Sequence, residues 1–152
     1  MKYLIMVAED EEVLCLMLQY NLEKEGYEVI TQTRGSRVIA DVEKHQPSVI
    51  LLDWMLPEMS GVEICKLIRS KPDIKNIPII MLTAKGEEED KVKGLGAGAD
   101  DYVTKPFTMS VLYAKTMALI KRNQRSVLAG DRMEVSGITL ELTAGRAYAG
   151  GK

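Results

Sequence analysis

The 152-residue sequence predicts an α/β domain, a parallel sheet with helices on both faces, followed by a short antiparallel β stub. Three observations carry that prediction. Short apolar runs alternate with amphipathic stretches five times between Tyr3 and Arg122. The runs are apolar almost throughout, the form of strands covered on both faces. Glycines and prolines fall at the joints between elements rather than inside them.

Tyr3 to Ala8 is the first strand, too short an apolar run for a signal peptide or a membrane span. Glu11 to Glu25 reads as a helix with Leu14, Met17, Leu18 and Leu22 on its inward stripe and Gly26 as its stop. Glu28 to Thr31 is the second strand. Ser36 to His45 is a weaker helix with Val38, Ile39 and Val42 inward, ending before Pro47. Val49 to Leu52 is the third strand and runs into Asp53. Ser60-Gly61-Val62-Glu63 matches a capping box, opening a helix with Ile64, Leu67 and Ile68 inward that closes before Pro72.

Ile77 to Leu82 is the fourth strand. Glu87, Glu88, Glu89 and Asp90 load the start of a fourth helix with the charge its dipole favours, and Val92 and Leu95 give it a small apolar face. Tyr102 to Thr104 is the fifth strand. Thr108 caps a fifth helix that runs through Leu112, Leu119 and Ile120 to Lys121 and Arg122. The expected organisation is a domain over 1–122, a linker over 123–127 and a small segment over 128–152. In that segment Met133 to Val135, Ile138 to Leu142 and Arg146 to Ala149 alternate weakly between glycines, as an antiparallel meander would.

A net charge of -2 and a pI near 5.5 exclude a whole-chain basic footprint for nucleic acid. Cys15 and Cys65 sit within apolar patterns and read as buried reduced thiols, which fits a cytoplasmic protein without a membrane anchor. His45, the single histidine, reads as a surface residue, so a histidine-kinase role has no support. Gly94, Gly96 and Gly98 follow a helix and precede a strand, the reverse of a dinucleotide loop, and read as a helix stop and turn.

In open parallel sheets ligands bind beyond the carboxyl ends of the strands. The residues there are Glu9 and Asp10 after the first strand, Asp53 after the third, Thr83 after the fourth and Lys105 after the fifth. Three converging carboxylates repel one another and call for a cation. An all-oxygen set without His or Cys points to Mg²⁺ rather than zinc. Such a site can hold a phosphoryl group, with a carboxylate as nucleophile, Lys105 as its ionic partner and the Thr83 hydroxyl as a donor.

These residues, Glu9-Asp10, Asp53, Thr83-Ala84 and Lys105-Pro106, resemble the receiver domain of bacterial two-component response regulators over roughly residues 1 to 122. The stretches Leu52 to Pro57, Met81 to Glu88 and Gly98 to Tyr102 resemble the PhoB-type branch of the OmpR/PhoB family. The resemblance implies a flavodoxin-like (CheY-like) sheet of order 2-1-3-4-5. It implies that Asp53 accepts phosphate from a cognate sensor histidine kinase. Glu9, Asp10, Asp53 and the Met55 carbonyl would hold Mg²⁺, and Thr83 and Tyr102 would be the switch pair. The Lys105–Pro106 bond would be cis.

The resemblance further implies a homodimer on phosphorylation, through the fourth helix, fifth strand and fifth helix. Its face maps to Lys91, Val92, Leu95, Asp100, Asp101, Val111, Ala114, Lys115 and Arg122. Two positions depart from the family. Val111 replaces an acidic residue, leaving Lys91 without its partner, and Lys115 replaces an arginine and loses the planar fork. Weakened dimerisation is expected. The segment after residue 128 resembles the opening sheet of a winged-helix effector domain, and the sequence reaches Lys152 before a recognition helix. DNA binding is therefore expected only of a full-length form.

A stand-alone receiver that relays or sequesters phosphate is the alternative in the same chemistry. A Mg²⁺-dependent phosphatase would be an enzyme, with a second carboxylate two residues after the nucleophile. That position is Met55, so the chain is read as a non-enzyme. Met55 and Lys85 are placed to crowd an attacking water and slow hydrolysis of the phosphoaspartate.

Overall fold

The computed structural model describes residues 3–84 and 96–135, with side chains as far as residue 123 in its last helix. Five strands form one sheet: β1 (Leu4–Ala8), β2 (Glu28–Gln32), β3 (Val49–Asp53), β4 (Ile79–Ala84) and β5 (Asp101–Lys105). Their order is β2-β1-β3-β4-β5, and every neighbouring pair is parallel. The described helices are α1 (Glu12–Lys24), α2 (Gly35–His45), α3 (Gly61–Ser70) and α4 (Met109–Val135). The chain divides into two units, and the first, Met1–Leu119, holds the whole sheet.

The apolar runs become strands because both of their faces are covered. Met6, Ala8, Ile50, Leu52, Ile79 and Met81 form one core cluster with Val38 and Val42 of α2 and Ile64 and Ile68 of α3. The alternate residues Ile5, Val7, Leu51, Ile80 and Leu82 are fully buried too, so the opposite face is also closed. Cys15, Leu18 and Leu22 of α1 are buried outside that cluster. Gly26 ends α1 with φ +97°, and the Tyr27 N–H returns to the Leu22 carbonyl. Ser60 and Glu63 close the expected capping box at α3 reciprocally.

Two helix stripes differ from expectation. Met17 and Leu67 are 38% and 39% exposed, and the inward positions go to Cys15 and Cys65. At 100° per residue, positions 15, 18 and 22 share a face that position 17 leaves, and 64, 65 and 68 do the same against 67. The two cysteines are buried free thiols, as expected.

A third difference lies after residue 122. Helix α4, the fifth helix expected from the sequence, continues to Val135. It passes through the expected linker 123–127 and through Met133–Val135, read from the sequence as a strand. Residues 123–135 contain no proline and one glycine. Extending an existing helix needs no new nucleus, whereas a three-residue strand needs a partner. The other expected strands, Ile138–Leu142 and Arg146–Ala149, lie outside the described residues. So do the helix expected from Glu87 and its residues Lys91, Val92 and Leu95, and Lys85.

Candidate functional site

Parallel pairing brings the strand ends level. Ala8 pairs with Leu52, Asp53 with Leu82, Thr83 with Thr104 and Ala84 with Lys105. Residues one or two steps beyond these pairs therefore meet at one edge. Lys105 Nζ donates to Glu9 Oε1 at 2.8 Å and to Asp53 Oδ1 at 3.3 Å. Glu9 is fully buried, and its other oxygen accepts the Glu11 N–H at 3.0 Å. Asp53 is 6% exposed, and Asp10 stands open to solvent. A cleft of about 810 Å³ opens over them, with Trp54, Met55 and Ala84 on its walls.

Charge is unbalanced here. Carboxylate oxygens of Glu9, Asp10 and Asp53 lie within 4.8 Å of one another, and among the described residues the Lys105 ammonium is paired with two of them. Burial, then the Glu9 charge, push the Asp53 carboxyl up to about 7, although Lys105 and the Met55 N–H pull it down. Burial works against the Lys105 ammonium, but its hydrogen bond to Glu9 and the Asp53 charge outweigh it and raise its pKa. A cluster with this excess of hard oxygen donors fits a hard divalent cation such as Mg²⁺. The Met55 side chain is 70% exposed.

The remaining expected residues are placed as follows. Thr83 is buried at the end of β4, and its hydroxyl has no hydrogen-bond partner among the described residues. Tyr102 packs half-buried against the core cluster, with Lys115 Nζ 5.7 Å from its ring centre. The Lys105–Pro106 peptide is cis. On the expected dimer face, Val111 and Ala114 are exposed. Asp101 pairs within the chain to Lys115 at 3.0 Å. Asp100 accepts from Arg69 at 2.8 Å and from the Ile79 N–H at 2.9 Å. Asp100 thus has a structural role that sequence reading did not assign to it. Arg122 is exposed.

Two groups escaped the sequence reading. Arg69 donates to the carbonyls of Gly98, Lys75 and Ile77 as well as to Asp100. Arg34 and Ser36, at the start of α2, grip the Glu58 carboxylate in the loop after Asp53. Both are contacts between distant segments of residue types common on surfaces, and no local pattern announces them.

A parallel sheet of this order thus carries a buried aspartate beside two acids and a lysine at its carboxyl edge. The family model described as the response regulator receiver domain matches residues 5–117, and the chain belongs to that family. It is 48% identical over 125 residues to the phosphate regulon transcriptional regulatory protein PhoB of Rhizobium meliloti, covering 82% of this chain and 55% of that one. It is 45% identical over 134 residues to the alkaline phosphatase synthesis transcriptional regulatory protein PhoP of Bacillus subtilis, covering 86% and 55%. The chain thus spans about half the length of these relatives. Among solved structures it resembles the receiver domain of the sensor histidine kinase PA1611 from Pseudomonas aeruginosa, with a TM-score of 0.74 and 29% identity over 80% of this chain and 99% of that one. That structure has a magnesium ion coordinated in its active-site cleft. Among the described residues no helix is long and apolar enough to cross a membrane.

Proposed function

We propose that Asp53 accepts a phosphoryl group from a cognate sensor histidine kinase. An Asp53 carboxylate oxygen forms the new O–P bond as the P–N bond of the donor phosphohistidine breaks, its electron pair staying on the ring nitrogen, and the donor ring, protonated on its other nitrogen, leaves as neutral imidazole. The observation that carries this reading is the contact set of Asp53: buried, 3.3 Å from Lys105, and clustered with Glu9 and Asp10. Glu9, Asp10, Asp53 and the Met55 carbonyl are the residues that would hold Mg²⁺. When bound, Mg²⁺ neutralises phosphoryl oxygens during an in-line displacement.

The chain's own residues do the rest. Lys105, already between Glu9 and Asp53, supplies a fixed positive charge for the transferred group. The Thr83 hydroxyl, without a partner among the described residues, is available to donate to a phosphoryl oxygen. Its movement would let Tyr102 follow, changing the surface of β5 and α4. That surface would pair with a second copy, weakly because of Val111 and Lys115. Output on DNA belongs to the full-length form. Met55 stands where a phosphatase would need its second carboxylate, which favours a switch over a turnover enzyme.

Intact mass after incubation with Mg²⁺ and acetyl phosphate tests the reading, with a size-exclusion trace beside it. Wild type gains one phosphoryl group, keeps it for minutes or longer and shifts partly to dimer. Asp53→Asn gains none. Equal labelling of Asp53→Asn would overturn the assignment, and steady release of phosphate at many turnovers would revive the enzyme.

A further inference from the structure

The loop from Trp54 to Gly61 carries Met55, whose carbonyl is an expected metal ligand. It is tied at its base, where the Trp54 N–H donates to the Leu82 carbonyl and the Gly61 N–H to the Trp54 carbonyl. Between those ties the Met55 side chain is 70% exposed and anchors nothing. The far end of the loop is held from another direction. Arg34 Nη2 meets Glu58 Oε2 at 2.5 Å, and Arg34 Nε lies 3.1 Å from the same oxygen. The Ser36 hydroxyl bonds the other Glu58 oxygen. The Gly35 N–H donates to the Pro57 carbonyl at 3.0 Å. Glu58 itself adopts φ +75°, a conformation a side chain accepts when its contacts hold it there.

Packing at this contact leaves no slack. A Cβ on Gly35 would lie 2.3 Å from the Met59 carbonyl oxygen and 2.8 Å from that of Pro57. The loop therefore rests directly on the backbone of the α2 start. That start is organised in turn by Gln32, whose side-chain oxygen accepts the Thr33 and Arg34 N–H groups and whose amide donates to Asp41 at 2.7 Å. The Gln32 carbonyl accepts the Glu9 N–H at 3.1 Å. One hydrogen-bonded path thus joins the backbone of Glu9 on one side of the cleft to the loop of Met55 on the other.

We propose that Arg34, Ser36 and Glu58 form a clamp that positions the Met55 loop for Mg²⁺, acting as positioning residues without touching the ion. The proposal rests on the phosphoacceptor reading above. A surface ion pair alone contributes little to stability. Its consequence here is geometric, because a small ion with strict octahedral demands discriminates against a displaced carbonyl. Losing the clamp should weaken ion binding while leaving the nucleophile intact.

The test is Mg²⁺ titration of the whole chain, read by fluorescence of Trp54, its single tryptophan and part of the cleft wall. Glu58→Ala and Arg34→Ala should each raise the Mg²⁺ dissociation constant about threefold or more, less than the loss typical of residues bonded directly to ligands. The phosphorylation rate with acetyl phosphate at saturating Mg²⁺ should stay within about twofold of wild type, so the defect lies in ion affinity rather than in transfer. The exchanged pair Arg34→Glu with Glu58→Arg should recover part of the affinity lost by either alanine variant. Unchanged Mg²⁺ affinity in both single variants overturns the clamp. So does an equal loss of transfer rate at saturating Mg²⁺. A wild-type chain that neither responds to Mg²⁺ nor takes up phosphate overturns the functional reading itself, and the clamp with it.

Discussion

Asp53 and Cys65 illustrate how burial acts on single groups in opposite functional directions. Asp53 is buried beside Glu9, and both causes push its carboxyl up to about 7, a cost met locally by Lys105. Cys65 is buried among apolar side chains of α3, and burial pushes its thiol up to about 11, the nearby Arg69 charge only partly opposing this. The thiol therefore stays protonated and unreactive. Alkylation by iodoacetamide at pH 8 should modify Cys65 only after unfolding, as mass spectrometry of the peptides would show. The shift also gives a stability slope. A thiol raised in the folded state above its usual 9 contributes fully below pH 9, and that contribution disappears as pH rises towards about 11. Urea melts of wild type and Cys65→Ala should therefore converge in that window. A constant difference between pH 8 and pH 11 would contradict it.

At the scale of elements, the capping box sets where α3 begins and so where the Asp53 loop must end. The Ser60 hydroxyl accepts the Glu63 N–H at 3.2 Å, and Glu63 accepts the Ser60 N–H at 3.2 Å. Ser60→Ala should cost about 1 kcal/mol of stability, the usual value of such a cap, measurable by urea denaturation. Acceptance of phosphate should persist, since Ser60 is not among the cleft residues. This boundary was readable because the capping box is a local pattern. The end of α4 was not, because a weak strand pattern over Met133–Val135 competes with an already formed helix, and elongation prevails.

For the molecule as a whole, the contacts that hold the functional edge level are long-range. Arg69 joins the end of α3 to the segment before β4 through Lys75 and Ile77, and to the segment before β5 through Gly98 and Asp100. It thereby ties together the segments that lead into the two strands carrying Thr83 and Lys105. Arg69→Ala should lower stability by about 2 kcal/mol, since it removes the ionic partner of half-buried Asp100 and the side-chain donor to the Gly98 and Ile77 carbonyls. A thermal melt checks the loss. A shift no larger than that of an exposed surface arginine would show that these bonds are replaced by water.

The fold class and the clustering of Glu9, Asp10, Asp53 and Lys105 at one edge were legible in the residues alone, for a physical reason. Strands buried on both faces must be continuously apolar, so Glu9, Asp10, Asp53, Thr83 and Lys105 stand out where those runs stop. Parallel pairing then obliges strand ends to meet at one edge. Tertiary structure alone decided which polar groups join across the chain. Arg34 and Glu58 are 24 residues apart, and Arg69 and Asp100 are 31 apart. Neither separation carries a helical or strand period, and nothing in a surface arginine's neighbours names its partner. It also decided that Cys15 and Cys65, rather than Met17 and Leu67, face inward, because the rotation of each helix about its axis is set by the sheet it packs on.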